Sequence, residues 1–268
     1  MNKKIISICV ISYNSQNTIQ ETLDSILNQD YGSENIELII GDDASKDNTK
    51  TIIQHWHSKY KNKFHDVKLN LSKLNQGIVG NYNSTCQLAT SKWIKLIAAD
   101  DILMENCLTE FNSFVENNNN IECVFCKVEM FNHTSSLGII PKRSYYFNLP
   151  AKKQFRILLI DNFFPAPGSF IRKSLLEKLN YADDGMSMED YPMWLKLTSL
   201  GIQLPLLDKT LVRYRIGNST SKNEKKLINS KLNNDTYSIK KNYLSKLESG
   251  YVIKFLYKFD LFISKKTD

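Results

Sequence analysis

Two kinds of pattern alternate along the first ninety residues: short unbroken apolar runs, and stretches whose apolar residues recur every three to four positions. Ile5–Ser12 reads as a buried strand, being rich in β-branched residues with no polar alternation. Thr18-x-x-Glu21 predicts a capping box, after which Ile19, Leu23, Ile26 and Leu27 fall on one helical face. Ile36–Ile40 predicts a second strand. Asp43–Asn48 is a polar loop leading into a helix that ends near His57, and Val67–Leu71 predicts a third strand. After Asn75-Gln76-Gly77 a helix is expected as far as Ala89, then a strand over Trp93–Ile97 that stops at Ala98-Ala99-Asp100-Asp101. Strand and helix alternating in this way build βαβ units around a mainly parallel sheet.

Past Asp101 the pattern loosens. It predicts a helix over Met104–Glu116, a turn at Asn117–Asn120, a strand over Ile121–Met130 and a mobile loop over residues 132–150. A helix from Pro150 to Ile160 follows, then a strand over Gly168–Ile171, a helix over Glu189–Leu200 and two short strands, Gln203–Leu207 and Thr210–Arg215. No internal repeat is present.

Composition narrows the class. At 268 residues, 42% apolar and 24% charged, the chain is excluded from collagen-like, disordered and multi-pass membrane architectures. Cys9, Cys86, Cys107, Cys123 and Cys126 are scattered among apolar neighbours, and residues 1–15 lack the long apolar core of a secretory signal, so a reducing cytosol is expected. The net charge is +7, of which residues 222–268 contribute +6 through 11 Lys, no Arg and 5 acids. Within that tail Tyr251–Ile263 is aromatic and apolar, yet it is interrupted by Lys254, Lys258 and Asp260 and is too short to span a bilayer. Two readings stand: a basic amphipathic segment on an anionic membrane surface, or a helix packed on the domain or on a second subunit of a homo-oligomer. A nucleic-acid partner is not expected, because no binding module is present and the tail lacks Arg.

Chemistry concentrates at strand ends. Ligands of an open parallel sheet bind outside the carboxyl ends of its strands, and Asp42-Asp43 and Asp100-Asp101 follow the second and fourth predicted strands. Carboxylates gathered there need solvent, hydrogen-bond donors or a cation. Mg²⁺ or Mn²⁺ on a diphosphate meets that need, since both favour oxygen ligands. The competing readings are a helix cap or turn for Asp42 and Asp43, and a capping pair for Asp100-Asp101. Cys123-x-x-Cys126 lies in a strand, where the two residues point to opposite faces, so buried thiols are expected rather than zinc ligands. His55-x-His57 does not share a helix face.

Four segments, in order, resemble the family 2 glycosyltransferases with a GT-A fold: Ser7–Asn14, Glu37–Thr49, Ala98-Ala99-Asp100-Asp101, and Glu189-Asp190-Tyr191-Pro192-Met193-Trp194-Leu195. The resemblance implies an α/β fold of GT-A type, with a mainly parallel, mixed sheet flanked by helices. It divides residues 1–218 into a nucleotide-sugar-binding half, about 1–101, and an acceptor half, 102–218, with 219–268 as a basic helical tail. Asp43 would accept the base N–H of a uracil-type nucleotide, with Ser12, Tyr13 and Asn14 lining the pocket and Asn75 and Gly77 at its rim. Asp101, with Asp100 beside it, would hold Mn²⁺ or Mg²⁺ on the diphosphate. Asp190 would be the general base, with Glu189 and Trp194 on the acceptor side. Where many relatives carry a His shortly after the Arg equivalent to Arg215, this chain has none; its four His are His55, His57, His65 and His133. The implied function is inverting transfer of a sugar, UDP-linked, to a saccharide or lipid-linked saccharide of surface-glycan synthesis, at the inner face of the cell membrane. The alternative is a non-catalytic membrane-associated scaffold that keeps a degenerate pocket.

Overall fold

A computed structural model describes residues 3–132, 135–217 and 230–244 of the chain. Its centre is a nine-stranded mixed sheet. The first half is built from β1 (Ile6–Ser12), α1 (Ile19–Leu27), β2 (Ile36–Asp42), α2 (Thr49–Tyr60), β3 (Asp66–Leu71), α3 (Gly77–Gln87) and β4 (Trp93–Ala98). These strands lie in the order β3-β2-β1-β4 and are all parallel, as the alternating pattern requires. Every residue of β1 and β2 is buried, which explains the absence of polar alternation in their sequences.

The second half comprises β5 (Ile102–Leu103), α4 (Cys107–Asn117), β6 (Cys123–Phe131), β7 (Ser136–Ile140), α5 (Ala151–Leu158), β8 (Ser169–Arg172), α6 (Lys173–Leu179), α7 (Asp190–Ser199), β9 (Leu206–Arg215) and α8 (Ser230–Leu244). It extends the same sheet as β4-β8-β6-β9-β5, with β7 pairing on β6. β8 is antiparallel to both β4 and β6, so β6 runs in the direction of β4. Two apolar cores cover the sheet. One holds Leu23, Ile53 and Phe111 from α1, α2 and α4; the other holds Tyr82, Phe155, Leu176 and Trp194 from α3, α5, α6 and α7. Cys126 faces the first and Cys123 the second, as expected of residues three apart in a strand.

Four local expectations are corrected. Thr18 makes no side-chain cap on α1; its Oγ1 donates to Ala99 O at 2.8 Å, and Glu21 turns outward to Arg215. The helix expected from Met104 starts at Cys107. The loop expected over 132–150 contains β7, which pairs antiparallel with β6, and Phe147, which is fully buried against Phe125, Phe163 and Phe164. The pattern hides β7 because its residues are largely solvent-exposed. The two final strands are one, β9, whose register against β6 shifts at Lys127 and so accommodates Asp208 and Lys209 without a break.

Of the expected tail, α8 is described and packs on the second core through Ile239, with Tyr243 5.5 Å from the ring of Phe155 and Asp235 Oδ2 accepting from Ser187 N at 2.9 Å. Tyr251–Ile263 and the remainder of 219–268 lie outside the described residues, as does His133. No helix among the described residues is long and apolar enough to cross a membrane.

At the amino-terminal edge of the parallel strands sits a polar knot. Glu37 accepts from Lys68 Nζ at 2.6 Å, Thr90 N at 2.8 Å, Thr90 Oγ1 at 2.8 Å and Ser7 Oγ. Burial alone would raise its pKa; these donors outweigh that and hold it at about 2.

Candidate active site

The register of the parallel strands places the predicted donor residues on one edge. Ser12 pairs with Asp42, and Ile11 with Ala98, so the turns after β1, β2 and β4 lie side by side. Asp42 serves the turn: Ser45 N donates to its Oδ2 at 3.1 Å. Asp43 is buried and aims at the start of α3, accepting from Gln76 N at 2.7 Å on one oxygen and from Gly77 N at 2.9 Å on the other. Asn75 Nδ2 donates to the Asp43 carbonyl at 3.1 Å. Gly77 has φ +76, a conformation that disfavours a side chain. Asn14, at φ +50, receives Lys46 N on its Oδ1 at 2.9 Å and donates its own N–H to Ser45 Oγ at 2.8 Å. Asn81 Nδ2 donates to Ser12 O at 3.2 Å, and Tyr13 stands exposed at the rim. Ser12, Tyr13, Asn14, Asp43, Asn75 and Gly77 are thus brought together in one cluster.

The Asp100-Asp101 turn is pinned from both ends of the chain. Thr22 Oγ1 donates to Asp101 O at 2.7 Å; Arg215 N donates to Asp101 Oδ1 at 2.9 Å and Arg215 Nε to Asp100 O at 2.9 Å. Asp101 is fully buried and its Oδ2 has no hydrogen-bond partner. Burial and the neighbouring charge of Asp100 push the Asp101 carboxyl well above its ordinary range, and burial raises Asp100 as well. An unpartnered carboxylate oxygen beside a second carboxylate fits a hard divalent cation. Among the described residues no group of three or more His, Cys, Asp or Glu is arranged to hold a metal, so such a cation would take its remaining ligands from diphosphate and water.

The second carboxylate pair opens α7. Glu189 and Asp190 line a pocket with Tyr82, Leu96, Ala166, Ser169, Met193 and Trp194. Burial, followed by the charge of Asp190, raises Glu189 to about 8, and burial raises Asp190. Trp194 is a core residue, set edge-on to Phe125 with ring centroids 4.8 Å apart, but its Nε1 has no partner.

Two residues near these pairs escaped the sequence reading, and a third, Glu21, reads there as half of a capping box. Glu21 takes the guanidinium of Arg215. Lys95, fully buried in β4, donates to Leu96 O at 2.7 Å and Pro167 O at 2.6 Å, and burial lowers its pKa. Tyr214 feels Asp101, Asp100, Asp190 and Glu189 together, which add to burial in pushing its phenol to about 12. A charged residue inside an apolar strand was the available signal for Lys95. The position of Tyr214 depends on how β9 folds back, which no local pattern reports.

A mixed sheet with acid-bearing turns at the carboxyl ends of β2 and β4, and a further carboxylate pair on α7, defines a glycosyltransferase of the GT-A class. The chain belongs to glycosyltransferase family 2: the family model described as Glycosyl transferase family 2 matches residues 7–179. It is 27% identical over 197 residues to the UDP-Glc:alpha-D-GlcNAc-diphosphoundecaprenol beta-1,3-glucosyltransferase WfgD of Escherichia coli, covering 74% of this chain and 71% of that one. Its fold is shared with S. aureus TarS 1–349 in complex with UDP-GlcNAc, with a TM-score of 0.67 and 20% identity over 88% of this chain and 64% of that one. It is also shared with the mannosyltransferase PcManGT of Pyrobaculum calidifontis in complex with GDP-Man and Mn²⁺, with a TM-score of 0.63 and 17% identity over 82% and 59% of the two chains. The chain therefore spans about three fifths of the length of these solved relatives.

Proposed function

We propose that this protein is an inverting, metal-assisted glycosyltransferase that takes a sugar from a UDP-linked donor and delivers it to a lipid-linked saccharide of surface-glycan synthesis at the inner face of the cell membrane. The observation that carries this reading is the pairing of two differently built acidic sites: Asp101, with a buried unpartnered oxygen, and the raised Glu189–Asp190 pair beside a pocket. The Escherichia coli relative whose name specifies a UDP-sugar and a diphosphoundecaprenol-linked acceptor supports the choice of substrates.

In this reading residues 1–101 form the donor half. Asp43 accepts the base N–H, and Ser12, Tyr13, Asn14, Asn75 and Gly77 shape the nucleotide pocket. Asp101, with Asp100, would hold Mg²⁺ or Mn²⁺, which would offset charge on the leaving diphosphate. Residues 102–218 form the acceptor half. Glu189, raised to about 8, holds a proton at neutral pH. Burial raises Asp190 as well, and Asp190 is the member of the pair taken as the base that removes the proton from the acceptor hydroxyl. The hydroxyl oxygen attacks the anomeric carbon from the face opposite the diphosphate, so the configuration inverts.

Slow hydrolysis of a panel of nucleotide-sugars with Mn²⁺ tests this. Release of free sugar from a UDP-sugar is the expected outcome. A chain that binds nucleotide-sugars without cleaving any of them, with or without a lipid-linked acceptor, is the non-catalytic scaffold instead.

A further inference from the structure

We infer that residues 135–160 form a docking surface for anionic lipid headgroups, on the same side of the sheet as the Glu189–Asp190 pocket. The stretch is separate in sequence from the lysine-rich residues 222–268. From residue 130 to residue 160 the chain has no Asp or Glu, while it carries Lys142, Arg143, Lys152, Lys153 and Arg156. Lys142, Arg143, Lys152 and Lys153 are all exposed. None of the five takes part in an ion pair among the described residues. Among them stand apolar side chains that the fold leaves in solvent: Leu137 at 46% exposure, Ile139 at 49%, Tyr145 at 58% and Ile160 at 43%.

Sheet register puts these groups on one side. Ile139 lies opposite Glu129 on β6, and the odd-numbered β6 residues Cys123 and Phe125 face the core that contains α5 and α7. Cross-strand partners share a face, so Ile139 rises on the α5 side, and Leu137 stands exposed at the bulge opposite Met130 and Phe131. Gln154 of α5 joins the patch together, donating from Nε2 to Phe147 O at 3.2 Å and Tyr146 O at 3.3 Å, while Ala151, Phe155 and Leu158 point inward and Lys152 and Lys153 outward. Because β6 runs parallel to β4, its carboxyl end lies at the sheet edge that carries Asp100 and Asp101. The patch therefore borders the proposed site, and Glu189 and Asp190 are on its side of the sheet.

Charge decides the occupant. A second copy docked about a two-fold axis would set the five basic residues of this stretch, flanked by only Glu129 and Asp161 in sequence, against themselves, an arrangement that like-charge repulsion opposes. Basic heads interleaved with exposed aliphatic and aromatic side chains match an anionic bilayer interface, where the headgroups neutralise charge and the acyl boundary receives Leu137 and Ile139. The purpose of such docking, bringing the pocket to a lipid-linked acceptor, rests on the function proposed above. Lipid binding does not, and it is measured without donor or acceptor.

The test is sedimentation of the full chain with vesicles of phosphatidylcholine alone, or of equal parts phosphatidylcholine and phosphatidylglycerol. The protein is expected on the anionic vesicles, less so as salt rises. At about fivefold per basic residue near the surface, the combined Lys142→Gln, Arg143→Gln, Lys152→Gln and Lys153→Gln substitutions weaken binding by roughly 10²–10³-fold. Leu137→Ser with Ile139→Ser weakens it further with no change in molecular size, and Lys59→Gln, Lys61→Gln and Lys63→Gln on the opposite side of the sheet leave it unchanged. Wild-type binding by the fourfold variant overturns the proposal, as does an equal loss in the Lys59/Lys61/Lys63 control. So does a change of oligomeric state in the Leu137/Ile139 variant with lipid binding intact, which would make the patch an interface between copies. If the vesicle pattern holds while the wild type hydrolyses no donor, the enzyme reading fails and the docking surface stands.

Discussion

The backbone N–H of Arg215 donates to Asp101 Oδ1 at 2.9 Å, across 114 residues of sequence. Through this bond the end of β9 closes the acidic turn after β4. Arg215 reinforces it with its side chain, from Nε to Asp100 O and on to Glu21, while its guanidinium lies 4.5 Å over the ring of Phe131. The two oxygens of Asp101 thereby differ: Oδ1 accepts from Arg215, and Oδ2 is buried without a hydrogen-bond partner.

That division predicts different outcomes for two substitutions. Asp101→Asn keeps an acceptor for Arg215 and is expected to fold with near-normal stability, yet to lose the Mn²⁺-dependent part of UDP binding. Asp101→Ala also strands the Arg215 N–H in a buried place, costing about 1–3 kcal/mol. Calorimetry with UDP, with and without Mn²⁺, and urea unfolding measure the two effects. A Mn²⁺ response in the Asn variant equal to wild type removes Asp101 from the metal.

Asp190→Asn is expected to lower transfer by roughly 10²–10⁴-fold, the usual contribution of a positioned general base. Donor affinity should hold, because Asp190 opens α7 in the pocket with Tyr82 and Met193 while the donor cluster is built from the turns after β1 and β2. Initial rates alongside UDP-sugar titration separate these quantities. Full turnover in the variant moves the base role to another group.

What the sequence disclosed and what it withheld divide along physical lines. β1, β2 and the stripe of α1 were legible because burial on a repeating lattice leaves a repeating pattern, and Asp43 and Asp101 were legible because strand ends are where such a lattice opens. Glu21 was misread because its spacing from Thr18 fits a local cap, whereas Arg215 competes for it from 194 residues away. β7 was missed because an edge strand in solvent has no apolar face to display. Lys95 was missed because a buried ammonium held by two carbonyls looks, in sequence, like an interruption of a strand. Contacts set by long-range closure leave no periodic trace.

Glu189 predicts an unusual dependence of stability on pH. Its pKa rises on folding from an ordinary 4.5 to about 8, so the folded state binds the extra proton across that window. Stability contributed by the protonated form is complete below pH 4.5 and is lost as pH climbs through 8. Glu189→Gln removes this loss. The variant is expected to match wild type at pH 4.5 and to melt at a higher temperature than wild type at pH 9. Parallel melting curves for the two proteins across that range would show that Glu189 is not raised.

Glu37 predicts the reverse sign at the opposite edge of the sheet. Its pKa falls from an ordinary 4.5 to about 2 on folding, because Lys68, Ser7 and Thr90 together outweigh the effect of burial. The stabilisation is therefore complete above pH 4.5 and disappears as pH falls through 2, amounting to about 3 kcal/mol at neutral pH. Glu37→Gln should unfold at lower urea by that amount at pH 7. Its stability should also fall less steeply than wild type between pH 4.5 and 2, since the titrating group is gone. The knot lies at the amino-terminal edge of the parallel strands, away from the donor cluster, so UDP affinity at pH 7 should be unchanged wherever the variant is folded. Urea midpoints at pH 7 and pH 3, read against UDP titration, decide the matter: equal pH slopes for the two proteins would remove Glu37 as the source of acid sensitivity.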